Sequence, residues 1–361
     1  MEEKNKQIND VIDSLKNGNY TIYFFVMDTK GNPTGAMACI YDHAKTLKDK
    51  GLNVSILHEK NDYTGVSDWM GEEYMEIPHI SIESKDVKIT PQDFLIIPEI
   101  FSNVMDQTKN MPCKRIVFCQ SYDYIFEILP LGSKWEDYGI KDVITTSDVQ
   151  KNHIQEIFKN INVDVIPIGI PEFFKRSDKP QIPVISILSR DPRDTIKLVK
   201  SFYLKFPQFK WVSFRDLRGL PRTTFADELS KSCLAVWIDQ ISGFGTFPIE
   251  AMKCGVPVIG KIPNLIPEWM GSETENGLEF NDNGIWLNDI LKMPDVIATF
   301  IKLWLEDNIP NDAYDKVSTF IDKRYDESTA KDKVVEYYNN LIVNRIIELD
   351  SLIIKQEETI Q

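Results

Sequence analysis

The chain reads as an α/β protein built from two doubly wound parallel sheets. Three observations predict this. Short apolar runs rich in β-branched and aromatic residues alternate with helical periodicity nearly from end to end. The runs are continuous rather than alternating, as strands covered on both faces require. The pattern also breaks once, at the proline- and charge-rich stretch 169–182, and then restarts.

In the first half the expected strands are YTIYFFVM (20–27), NVSIL (53–57), DFLIIP (93–98), RIVFC (115–119), DVITT (142–146) and VDVIPI (163–168). Helical segments separate several of them, notably AMACIYDHAKTLKDKG (36–51), with Gly51 suited to close it. After the break come PVISIL (183–188), KWVSF (210–214), CLAVWI (233–238), VPVI (256–259) and GLEF (277–280). Two strand–helix arrays of this kind imply right-handed crossovers, with ligands bound outside the carboxyl ends of the strands and the default site between the halves. The expected organisation is a first domain over 1–170, a linker over 171–182, a second domain over 183–325 and a C-terminal helical segment over 326–361. In that last segment Val335, Tyr338, Ile342, Ile346, Leu349 and Ile353 form one apolar stripe. The expected role of the stripe is packing on the protein's own domains, with a homodimer contact as the secondary reading.

Composition narrows the function. The 361 residues suit two ordinary domains, and 42% hydrophobic content marks a globular chain. A net charge of −14 disfavours a polyanionic partner, because no block of basic residues is present to neutralise phosphates. Five cysteines without a CxxC pair point to reduced thiols and a cytoplasmic location. The four histidines are scattered without a metal-ligand spacing, so no metal is expected. The charged start MEEKNKQIND is unlike a signal peptide, and no run is long enough to cross a membrane.

The chemistry concentrates in SGFGTFPIEAMKCGVPVIG, residues 242–260. CLAVWI supplies a strand, DQISGFGT a loop and FPIEAMKCG a helix, with Pro248 suited to the first turn and Gly255 to the C-terminal cap. Gly243 and Gly245 permit close backbone approach, and the helix start carries a partial positive charge of roughly half a unit, which favours an anion. Glu250, one turn in, would repel the same phosphate but is placed to accept bonds from a vicinal diol such as a ribose. Ordinary helix capping accounts for the same residues, so local chemistry leaves both readings open.

The run GFGTFPIEAMKCGVPVI resembles the signature of retaining glycosyltransferases with the GT-B fold, particularly glycosyltransferase family four, in which GFG, the proline, EAM, CG and PVI fall in register. The resemblance implies two Rossmann-like domains facing a central cleft and transfer of a sugar from a UDP- or GDP-sugar co-substrate, without metal or permanently bound cofactor. It assigns ribose binding to Glu250, and contacts with the donor sugar and phosphates to Gly243, Phe244, Gly245 and Thr246. The family's first acid is Ser242 in this chain, which leaves one hydroxyl where a carboxylate usually grips the sugar. In ISILSRDPRDTIKLVKSF (185–202), Arg190 matches the family's diphosphate arginine, and Arg193 takes the place of its lysine. Pairing of both with Asp191 and Asp194 is the competing reading.

Gly35, in GNPTGAMACIYDHAKTLKDKGLNVSIL (31–57), matches the family's first glycine loop and is expected near the donor. Glu268, in NLIPEWM (264–270), is a further cleft candidate. On the acceptor side, Glu99, Gln120, Tyr122 and Asp123 follow strands and would face the cleft. The acceptor itself, whether saccharide, lipid, protein or modified nucleobase, is not specified. Three alternatives stand beside the transferase: a non-catalytic binding or partner protein, for which Ser242 argues; a nucleotide-sugar epimerase; and an enzyme glycosylating a modified DNA base.

Overall fold

The computed structural model describes residues 2–84, 87–178, 181–239 and 243–358. They divide into two compact units: the first comprises 1–146, 150–167 and 328–361, and the second 147–149 and 168–327.

The first unit is built on seven parallel strands: β1 (Ile22–Phe25), β2 (Val54–His58), β3 (His79–Ser81), β4 (Phe94–Pro98), β5 (Lys114–Cys119), β6 (Asp142–Thr145) and β7 (Asn162–Val165). Their order is β3-β2-β1-β4-β5-β6-β7, so the chain winds outward one way from β1 and then back past it to β4. Alternate side chains serve opposite faces. Tyr23, Phe25, Leu57, Leu95, Val117 and Val143 enter one apolar cluster. On the other face Phe24 meets Tyr338, and Phe118 stacks on His43 of the helix Gly35–Asp49. That helix closes as expected: Gly51 takes φ +84°, Gly51 N–H bonds to Lys48 and Leu52 N–H to Leu47, the paired bonds of a Schellman cap.

The C-terminal helix Glu327–Glu358 belongs to the first unit from Ser328 onward. Of its expected stripe, Tyr338, Ile342 and Leu349 are buried and Tyr338 meets Phe24 of the sheet, while Val335, Ile346 and Ile353 are half-buried; Val334 and Leu341 are also buried.

The second unit holds β8 (Ile182–Leu188), β9 (Ser213–Asp216), β10 (Ser232–Trp237) and β11 (Val258–Lys261). A short hairpin follows, β12 (Gly271–Thr274) and β13 (Gly277–Phe280), and then β14 (Ile285–Leu287). The parallel sheet runs β14-β11-β10-β8-β9. Along β10, Ala235 and Trp237 face one cluster, while Leu234 and Val236 face the other, so both faces are covered. GLEF is therefore not a strand of the parallel sheet. Its residues pair antiparallel with 271–274, and β14, unmarked in the sequence, takes the edge position. In the segment expected to be the linker, Phe174 is fully buried in this unit, Glu172 pairs with Lys253 and Arg176 pairs with Asp315.

Candidate functional site

In an open parallel sheet the ligand crevice forms where strand order reverses, at the carboxyl ends of the two central neighbours. In the second unit those neighbours are β8 and β10. Both segments singled out for donor binding start there. Arg190 follows β8, and the 243–246 loop and its helix follow β10.

The helix after β10 is Thr246–Lys253. Gly245 is its N-cap at φ +75° and, as a glycine, brings no capping side chain of its own. A Cβ on Gly245 would lie 2.9 Å from the Trp237 ring, so the loop crosses the tryptophan at a distance only glycine permits. α-Helical geometry gives the Thr246 and Phe247 amides no intrahelical acceptor, and Pro248 has no N–H to satisfy. The tip is thus suited to an anion. Cys254 caps the far end and Gly255 follows at φ +67°, with Gly255 N–H bonded to Met252 and Val256 N–H to Ala251.

Gly243, Phe244 and Gly245 are buried, while Thr246 and Glu250 are half-buried. Phe244 is fixed by both its ring and its carbonyl. Its ring sits edge-on to Tyr325 with centroids 5.4 Å apart, and its carbonyl accepts from Trp269 Nε1 at 2.7 Å. Asn281 and Asn283 in turn hold the Trp269 carbonyl at 2.8 and 2.5 Å, which ties the loop to the end of the β12–β13 hairpin. Glu250 lies one helical turn past the tip. Burial, with Glu250 adding a smaller effect, pushes the Cys254 thiol up to about 12, so this cysteine is no nucleophile. Ser242 lies outside the described residues.

On the β8 side, Asp191 caps the helix Pro192–Lys205 by accepting from Arg193 N–H, with Pro192 at the start of the helix. Ser189 Oγ donates to the Asp191 carbonyl at 3.0 Å, bracing the turn. The Arg193 side chain folds back on Asp191, Nη2 to Oδ2 at 2.6 Å, and is 89% exposed. Hydrogen bonds from Arg193 hold the Asp191 carboxyl below its usual range. Local pairing therefore accounts for Arg193 as the structure stands. Arg190 differs: its Nε lies 2.9 Å from Oδ2 of Asp239, at the carboxyl end of β10, and not on Asp191. Asp239 went unrecognised in the sequence. The signal available was an acid immediately after an apolar strand, at a carboxyl end.

Glu268 is half-buried, and burial raises its carboxyl above the usual range. Its neighbours include the Val149 backbone, Arg324 and Asp148.

In the first unit the strand order reverses between β1 and β4. Gly35 opens the helix beside this point, exposed, behind Thr34, whose side chain accepts from Met37 N–H at 3.2 Å. Glu99 follows β4 but is buried, and its carboxylate accepts from Ser121 N–H at 2.8 Å. Gln120 Nε2 donates to the Ala36 carbonyl at 3.1 Å, so Gly35, Glu99 and Gln120 converge on one switch point. Tyr122 packs instead against Phe126 and His153, and Asp123 opens the short helix Asp123–Ile128, one strand further out.

Two histidines that are distant in sequence are brought together: His58 stacks on Tyr63, and His79 Nε2 lies 2.9 Å from the Tyr41 hydroxyl, itself 2.7 Å from that of Tyr63. Among the described residues no group of three His, Cys, Asp or Glu could hold a metal ion, and no helix is long and apolar enough to cross a membrane.

No protein-family model matches the chain. It is 26% identical over 231 residues to an alpha-1,6-glucosyltransferase of Actinobacillus pleuropneumoniae serotype 7 (strain AP76), covering 63% of this chain and 68% of that protein. Among solved structures it is similar to sucrose-phosphate synthase from Thermosynechococcus elongatus, with TM-score 0.63, 12% identity, and coverage of 90% of this chain and 100% of that one. It is also similar to the pneumococcal O-GlcNAc transferase GtfA in complex with UDP and GlcNAc, with TM-score 0.62, 10% identity, and coverage of 91% and 99%. The fold, two parallel-sheet α/β domains with a helical C-terminus, is that of the GT-B glycosyltransferases.

Proposed function

We propose that this chain is a glycosyltransferase that takes its sugar from a UDP-sugar, without metal and with retention at the anomeric carbon. The observation that carries the reading is the glycine-led tip of Thr246–Lys253 at the β8/β10 switch point, with Glu250 one turn behind it and Arg190 on the neighbouring turn. The tip amides and Arg190 suit a diphosphate, and Glu250 suits the ribose diol. A glucosyl donor is the first choice, because the curated relative transfers glucose. GDP-sugars remain the comparison arm.

In the proposed reaction the bond between the anomeric carbon and the phosphate oxygen breaks, and the nucleoside diphosphate leaves with the electron pair. The acceptor oxygen attacks the same face, and its proton passes to the departing phosphate oxygen. Arg190 and the helix tip stabilise charge that grows on the leaving group, which is where fixed donors contribute most. Gln120, half-buried at the other switch point, is the candidate that supports an acceptor site on the first unit, while Glu99 is buried there and Tyr122 and Asp123 lie further from that point.

The test is calorimetric titration with UDP and GDP, followed by a donor-hydrolysis screen over UDP-glucose, UDP-N-acetylglucosamine and GDP-mannose with and without chelator. Glu250→Ala should weaken UDP binding by about tenfold, the worth of a charge-assisted bond pair. Unchanged affinity would remove the ribose assignment. UDP binding without hydrolysis or transfer from any donor would favour the non-catalytic reading that Ser242 raises.

A further inference from the structure

We propose that Asp239 is a positioning residue for Arg190, fixing its guanidinium at the β8/β10 crevice while opposing, by its own charge, the anion that the arginine receives. The inference rests on the diphosphate reading above.

The pair joins two adjacent turns of the sheet. Leu188 of β8 is paired in register with Trp237 of β10, and Arg190 and Asp239 each lie two residues beyond that pair. Their burial is unequal: the Asp239 side chain is 9% exposed and that of Arg190 is 40%. The acid is the anchor underneath and the cation is the outer member. Contact is made through Nε, the guanidinium nitrogen nearest the chain, at 2.9 Å. An arginine held in this way loses little freedom when an oxyanion arrives, which is the benefit of preorganisation. Asp239 also places a negative charge beside the crevice, where it weakens the pull on a diphosphate. The two effects have opposite signs, and two substitutions at the same position separate them.

Asp239→Asn keeps an oxygen acceptor for Nε and removes the charge. Asp239→Ala removes both. With the full-length chain and UDP as the titrant, D239N should bind about fivefold more tightly than wild type, from the removed repulsion. D239A should bind about tenfold more weakly, because an unanchored arginine must be ordered by the ligand. In an Arg190→Ala background D239A should no longer weaken binding and should bind UDP about fivefold more tightly than R190A alone, since only the repulsion is left to remove, whereas a merely structural role for Asp239 would weaken it further. Steady-state donor hydrolysis should show the same order in KM. Circular dichroism melts check that each variant folds; if D239A does not, the D239N titration and the R190A/D239N pair still decide.

Equal UDP affinity in D239N, D239A and wild type would overturn the inference while leaving the nucleotide reading intact. Tight binding by both variants would overturn the positioning role, leaving Asp239 only a charge. No UDP binding by wild type would overturn the nucleotide reading, and this inference with it.

Discussion

The Trp269 indole N–H donates to the Phe244 carbonyl oxygen at 2.7 Å, so the glycine loop is clamped by a residue 25 positions downstream. Trp269→Phe keeps the aromatic bulk and removes the donor, leaving a buried carbonyl without that bond. We expect a loss of about 1–3 kcal/mol in unfolding free energy. Weaker UDP binding should accompany it, because the amides at the tip are no longer held in register. Chemical denaturation and calorimetry on one preparation measure both. Loss of stability with unaltered UDP affinity would show that the clamp does not shape the tip.

Gly245→Ala should be more damaging than its size suggests. The residue sits at φ +75°, and the added carbon would lie 2.9 Å from one tryptophan ring and 3.2 Å from another. Left-handed strain alone is worth about 1–3 kcal/mol for a residue with a side chain, before the steric conflict is added. A melting temperature close to wild type would contradict this.

The two arginines should separate in titrations with UDP. Arg193 is 89% exposed and paired with Asp191, so Arg193→Ala should change UDP affinity by no more than about twofold. Arg190→Ala should cost about tenfold or more, because it removes the anchored cation at the switch point. Equal effects would mean that Arg193 swings away from Asp191 to meet the ligand.

Acid should destabilise the first unit through His43. Its ring is fully buried on Phe118, and burial depresses its pKa from 6.5 to about 4. Between those values the unfolded chain binds a proton that the folded chain refuses. Stability is therefore complete above pH 6.5 and falls as pH drops toward 4, by about 3 kcal/mol from this one group. His58 and His79 are also depressed, chiefly by burial, and add a loss of the same sign. Denaturant titrations of wild type and His43→Phe from pH 7.5 to 4.5 should diverge with acid. Parallel curves would refute the assignment.

The parts legible in the sequence were those whose signal is local. Ten of the eleven expected strand runs overlap strands of the parallel sheets, most of them because a strand buried on both faces must be written as an uninterrupted apolar run; β7 and β9 are the more exposed exceptions. Asp191 with Pro192, Gly51 and Gly255 were readable as helix ends, since capping depends on a few neighbouring residues. The misses share a cause. β3 and β14 are three-residue edge strands without a continuous buried run, and GLEF joined a hairpin held by the turn at Thr274–Gly277. Phe174 lies within a stretch of charges and proline read as a linker, and its ring fills the core of the second unit.

By itself the sequence determined the two parallel-sheet arrays and the glycine-led helix start, because periodicity, glycine placement and caps act within a few residues of one another. Only the tertiary structure decided which distant groups meet. Arg190 pairs with Asp239 rather than Asp191, the Glu99 carboxylate is consumed by the Ser121 amide, and Trp269 reaches back to Phe244. Those pairings follow from strand order and register, which bring segments dozens of residues apart to one edge of a sheet, and no local pattern along the chain encodes them.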